Sequence, residues 1–218
     1  NPDLGGGTTD YYMGANDNGY GDVIDEGVPG NFAIEGMTVM RSGDTLTVSI
    51  DTEFAGKAGV LPGTTLSGYG VGYGDLFLSN AWNPSGVAPY QFDDSSNGTQ
   101  WQYAFSLTDH WGFGPGTGTL YKLNSANNAD IWLSDDFMKP SVIFRNGQEA
   151  AVDFVNGDIT AVAGNTSSWS VDNSTIDFII DLTGTTLGGS NETFAFHWTQ
   201  TCGNDVIEGE VTNLAAIP

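Results

Sequence analysis

The chain has 218 residues, with 5 Lys+Arg against 27 Asp+Glu and a formal net charge of −22 at pH 7. A surface so negative repels phosphate-rich partners and has few cations with which to displace counterions, which excludes nucleic acid and disfavours adsorption to anionic lipid. The single cysteine excludes an intrachain disulfide framework and a Cys-rich zinc site, and no run of 18 apolar residues is present to span a bilayer.

In chain order, residues 1–27 are rich in Gly, Asn and Asp and read as a flexible or calcium-ordered N-terminal segment. The opening "NPDLGGGTTD" looks like a processed start, and "TTDYYMG" is suited to add as a strand to the open edge of a second copy. Residues 28–218 read as a single domain. The first clear pair of strands is "MTVMRSGDTLTVSIDTEF", alternating runs at 37–40 and 45–54 joined by Arg41, Ser42, Gly43 and Asp44, which have hairpin-turn chemistry. Further strands are expected at 75–79, 101–107, 119–123, 141–144, 150–154, 168–171, 175–182, 193–199 and 206–211, with turn residues between nearly every pair. Residues 84–98 read as a loop, and no long segment repeats apolar residues with helical period.

This spacing predicts an all-β fold, an antiparallel β-sandwich or jelly roll with long acidic and Gly-rich loops. Twelve Phe, eight Tyr and six Trp are enough to fill its inner layers.

Acidic residues gather in glycine-containing turns such as "ANDNGYGDVIDEG" and "FDDSSNG". Calcium takes about six to eight oxygen ligands, and such turns can aim several at one point. The candidate ligands are Asp22, Asp25, Asp75, Asp93, Asp94 and Asp205; of these Asp22, Asp75 and Asp205 each follow Gly or Asn at the start of an apolar run. No EF-hand spacing is present, so a site would be assembled from separate loops. Trp82, Tyr90 and Trp111 fall in or beside loops and are candidates for stacking on sugar rings.

Nucleophilic catalysis by Cys202 and His197 is disfavoured. Phe194, Phe196, Trp198 and Cys202 share one strand parity while His197 has the other, and five residues at about 3.3 Å each would part the two by roughly 16 Å. For hydrolysis by paired carboxylates, the close glutamates at even spacing are Glu208 and Glu210, near the end of the chain. The expectation is therefore no enzyme, with a glycoside hydrolase on a lectin-like sandwich as the alternative.

The ordered set "GDTLTVSIDTEFAG", "GYGDLFLSNAW", "GTGTLYKLN", "RNGQEAAVD", "IDFIIDLTGT" and "FAFHWTQTCGNDVIEG" resembles bacterial exosortase-dependent surface proteins, the PEP-CTERM group. The chain stops at "NLAAIP", where in that group a Pro-Glu-Pro motif, an apolar helix and a basic cluster typically follow, as if the sorting tail had been removed. The resemblance implies export to the cell surface or extracellular matrix, and it carries over no catalytic residues. The expected mode of action is self-assembly or binding with calcium as a structural ion. The expected partners are a second copy of the chain or an exopolysaccharide.

Overall fold

The structure is a computed structural model that describes residues 8–13, 31–87, 90, 93–112, 116–141 and 144–214. Among the described residues, thirteen strands, a 3-10 turn at Pro62–Thr64 and one short α-helix run in the order β1 (Thr8–Met13), β2 (Ile34–Ser42), β3 (Thr45–Thr52), the 3-10 turn, β4 (Leu76–Ser79), β5 (Tyr103–Leu107), β6 (Gly116–Leu123), β7 (Ile131–Leu133), α1 (Ser134–Phe137), β8 (Glu149–Val152), β9 (Ile159–Ala161), β10 (Ser168–Val171), β11 (Thr175–Asp181), β12 (Phe194–Thr199) and β13 (Val206–Thr212). The all-β expectation holds.

Eleven strands form one antiparallel sheet in the order β1-β13-β12-β4-β5-β6-β10-β11-β3-β2, with β9 also on β6; β7 and β8 make a separate pair. The sheet curls until it is nearly barrel-shaped, in a sandwich-like fold. β2, at one end of the order, comes back against β13. Asp205 stitches this seam by accepting the main-chain N–H of Ile34 at 2.8 Å, and Gln200 donates to the Phe32 carbonyl at 2.8 Å.

The predicted hairpin is β2–β3, with Ser42 opposite Thr45 and Gly43 at φ 57. A positive φ at the first central position matches the right-handed strand twist, and Gly adopts it without steric cost. Alternation then decides the faces. Leu46, Val48 and Ile50 of β3 point inward with Ile176, Phe178 and Ile180 of β11, while Thr45, Thr47, Ser49 and Asp51 face outward.

β12 departs from this rule because all six of its residues are buried. Phe194, Phe196 and Trp198 enter the main core, which also takes Cys202. Ala195 packs on the opposite face in a second cluster with Phe77, Trp101, Ala104, Leu123, Ile131 and Val152. The β7–β8 pair supplies Ile131 and Val152, and so covers the outer face of β4, β5 and β12.

Three expectations differ in detail. The N-terminal stretch read as loop contributes β1, which pairs with β13 from Thr8↔Thr212 to Met13↔Ile207. β7, β9 and α1 arise in stretches where no element was expected. Of the strand expected at 141–144, residues 142 and 143 lie outside the described residues, and Ser141 and Phe144 are not in a strand.

Candidate functional site

Antiparallel register builds the centre of the site. β12 and β13 pair with His197 directly opposite Glu208, so both side chains leave the same outer face. His197 Nδ1 lies 2.8 Å from Glu208 Oε2. Its other nitrogen, Nε2, lies 2.9 Å from the main-chain carbonyl of Glu149 at the start of β8 and 3.9 Å from Glu149 Oε2. One ligand atom from each of Glu149, His197 and Glu208 falls within 4.8 Å of the other two. It is the one group of three His, Cys, Asp or Glu residues so arranged among the described residues.

A shell of donors holds the far oxygen of each glutamate. Glu208 Oε1 accepts from the Trp82 indole at 2.7 Å and from the Thr99 hydroxyl at 3.4 Å. Glu149 Oε1 accepts from the Trp101 indole at 3.2 Å and from the Asn128 amide at 3.2 Å. Asp93 adds a third carboxyl, hydrogen-bonded to Glu208 and accepting the Ser85 N–H at 3.0 Å. Phe77 and Trp101 set their rings 5.8 and 5.7 Å from the imidazole.

Burial governs the protonation of this group. Loss of solvent pushes Glu149 and Glu208 up to about 7, with the His197 charge opposing the rise at Glu149. Asp93 also rises to about 7, from burial first and then from the Glu208 charge. His197 is lowered, because burial penalises the imidazolium more than Glu149 favours it. Three carboxyls around one imidazole thus keep protons at neutral pH that exposed carboxyls would release.

The expected sugar-stacking residues separate into two places. Trp82 and Tyr90 meet, ring centroids 5.2 Å apart at 80°, on the loop between β4 and β5. Trp82 is anchored to β13 twice, through its indole on Glu208 and its main-chain N–H on Glu210 Oε2 at 3.4 Å. Trp111 stands apart, donating to the Gly70 carbonyl at 2.9 Å and lying 5.6 Å from the exposed ring of Tyr69.

The acidic candidates also scatter. Asp75 accepts the N–H groups of Leu107 and Val152 at 2.9 and 2.8 Å. Asp205 holds the seam, Asp94 closes its own turn onto Ser96 at 2.8 Å, and Asp93 alone joins the buried cluster. Asp22 and Asp25 lie outside the described residues. The face of β12 opposite its aromatics, to which strand parity assigns His197, carries the imidazole at the centre of the cluster. Pairing the expected strands 193–199 and 206–211 as a hairpin about Gly203 sets His197 against Glu208, so that half was legible. Glu149 had no such signal.

Comparisons with protein-family models, with curated proteins and with solved structures found no match to this chain.

Proposed function

We propose that this chain is an exported bacterial surface or matrix protein that acts by binding, and that it takes an extracellular polysaccharide on Trp82 and Tyr90. The aromatic pair carries the reading: two half-buried rings on one loop, at 5.2 Å and 80°, with Trp82 fixed to the sheet by Glu208 and Glu210. A ring already held in place loses little conformational freedom when a sugar stacks on it. Asn83, Ser96 and Asn97 are exposed on the same loop and offer partners for sugar hydroxyls. The 82–85 and 93–99 segments are tied to each other by Asn83 N–H on Thr99 Oγ1 at 3.0 Å and by Ser85 N–H on Asp93.

Burial favours binding over hydrolysis. The side chains of Glu149 and Glu208 are 4% and 7% exposed, too little for a glycosidic bond to lie between them. Export rests on the resemblance to exosortase-dependent surface proteins, together with the acidic, Gly-rich composition. The test is affinity electrophoresis through a panel of acidic and neutral bacterial polysaccharides. Tyr90→Ala and Trp82→Ala are expected to weaken retardation by roughly tenfold, in keeping with about 1.4 kcal/mol for one lost stacking contact. Tyr90→Ala is the cleaner variant because Trp82→Ala also frees Glu208. Retardation unchanged in both, or absent in the parent chain across the panel, would sink the reading.

Self-assembly is a second reading, favoured by one observation. Among the described residues, β1 pairs with β13 at the end of the strand order, through an unbroken run of six pairs. A terminal strand held in that way can be exchanged between copies, each lending β1 to its neighbour.

A further inference from the structure

The proton positions on His197 are constrained by what surrounds it. A main-chain carbonyl only accepts, so the hydrogen bond from Nε2 to the Glu149 carbonyl at 2.9 Å puts a proton on Nε2. In the neutral ring the lone pair is then on Nδ1, aimed at Glu208 Oε2 at 2.8 Å. A proton held between those two atoms relieves the repulsion of lone pair and carboxylate, and a metal ion can take the place of that proton. A histidine that donates one N–H to a carbonyl and turns its other nitrogen to a carboxyl group has the tautomer that metal-binding histidines adopt.

The carboxylates are arranged to match. Both Oε1 atoms are occupied by outer donors, Trp82 and Thr99 on Glu208 and Trp101 and Asn128 on Glu149. Glu208 Oε2 lies 2.8 Å from Nδ1, and Glu149 Oε2, 3.9 Å from Nε2, belongs to a residue with a ligand atom within 4.8 Å of one on each of the other two. Outer hydrogen bonds that orient inner oxygens are the usual support of a metal site. An ion about 2.1 Å from each ligand sets neighbouring donors about 3.0–3.4 Å apart, so the Nδ1 and Oε2 pair needs to open by only a few tenths of an ångström.

We infer that Glu149, His197 and Glu208 form a binding site for a divalent transition-metal ion of the zinc type, with His197 ligating through Nδ1, Glu208 through Oε2 and Glu149 through its carboxylate. Two carboxylates and one divalent ion sum to zero charge, which suits a buried site. Calcium prefers six to eight oxygens and is poorly served by an imidazole, so this site is distinct from the calcium expected on the acidic loops. Asp93, hydrogen-bonded to Glu208, orients that ligand or supplies a fourth oxygen. The inference stands apart from the polysaccharide reading and survives its failure.

The experiment uses the full chain stripped with EDTA, then refolded from denaturant with and without Zn2+ so that slow entry to a buried site does not mask binding. Metal content after gel filtration, thermal melts, and the visible spectrum of the Co2+ form are measured. Mn2+ and Ca2+ are run in parallel. One equivalent of Zn2+, a melting temperature raised by several degrees, and a Co2+ spectrum showing nitrogen ligation are expected. Glu149→Gln and Glu208→Gln keep the size of each side chain and should bind Zn2+ at least tenfold more weakly while retaining the parent circular dichroism. If one variant fails to fold, the other together with the Co2+ spectrum decides. Zn2+ uptake equal in parent and variants would assign the ions to surface carboxylates and overturn the inference. So would no uptake after refolding, or stabilisation by Ca2+ alone.

Discussion

Asp75 holds two strands with one carboxylate. Its Oδ1 accepts the Leu107 N–H of β5 at 2.9 Å and its Oδ2 the Val152 N–H of β8 at 2.8 Å, while His110 Nε2 stands 3.7 Å from Oδ1. Burial raises its pKa, and the His110 charge is the largest influence against the rise. Removing the carboxylate would leave two buried amides unpaired, each costing about 1–3 kcal/mol. Asp75→Ala should therefore lower stability by about 2–6 kcal/mol, and Asp75→Asn, which keeps one acceptor, by roughly half as much. Urea melts of both variants check this; Asp75→Ala within 1 kcal/mol of the parent (a difference of about fivefold in the folding equilibrium) would show that water satisfies the amides. Gly74 explains the tightness of this corner, since a Cβ there would lie 2.2 Å from the Thr199 carbonyl and 3.0 Å from that of Ala150.

Among the elements, the β12–β13 hairpin sets His197 and Glu208 against Glu149 of β8 and Asp93 of the β4–β5 loop, and the effect of this group on stability follows from proton counts. Asp93, Glu149 and Glu208 release their protons at about 7 in the folded chain. In the unfolded chain the same groups release them near about 4. Between those values the folded state binds more protons than the unfolded one, so raising the pH favours unfolding. Their contribution is fully present below about pH 4 and is lost as pH climbs through about 7. His197 works in the opposite direction, because its lowered pKa leaves the folded ring neutral where the unfolded ring would take a proton. With three carboxyls against one imidazole, the EDTA-treated protein should lose stability as the pH rises from about 4 through about 7. Glu149→Gln should flatten the curve. Urea melts across that range decide the matter, and a parent profile as flat as the variant's would refute the shared-proton account.

At the scale of the whole molecule, the large sheet nearly closes on itself, and its ends are treated differently. β2 returns against β13 and is fastened by Asp205 and Gln200. β1 adds to β13 by main-chain pairing, at the end of the sheet order opposite β2. The other ten strands of the large sheet pair with one another without β1, so deletion of residues 1–14 is expected to leave the fold intact by circular dichroism. It should expose the edge of β13, whose unpaired N–H and C=O groups then recruit another strand. If β1 is exchanged between copies, light scattering of the parent should show oligomers that the deletion abolishes or converts to irregular aggregates. Identical monomers before and after deletion would remove the assembly reading. At a net charge of −22 the copies repel one another, so the comparison belongs at moderate salt, where the Debye length is about 8–10 Å.

Local chemistry by itself determined much of this protein. Alternation at Leu46, Val48 and Ile50, the Gly43 turn, and the parity that separates His197 from Phe196 and Trp198 are properties of neighbouring residues, and they placed most of the strands and both faces of β12. The aromatic pair was half legible, since loop composition marked Trp82 and Tyr90 without showing that they touch. Other features depended on partners distant in the chain. β7 and β9 have three residues each and are strands because β8 and β6 receive them. Glu149 meets His197 from 48 positions away, and Asp75 meets Val152 from 77 positions away. Turn composition marks a carboxylate as exposed to solvent or free for an ion, yet only tertiary packing decides whether its oxygens are already taken by amides, as at Asp75 and Asp205, or are buried beside an imidazole, as at Glu208. The physical reason is one of range: backbone preference and side-chain alternation act over a few residues, whereas desolvation and charge pairing depend on what the folded sheet brings within a few ångströms.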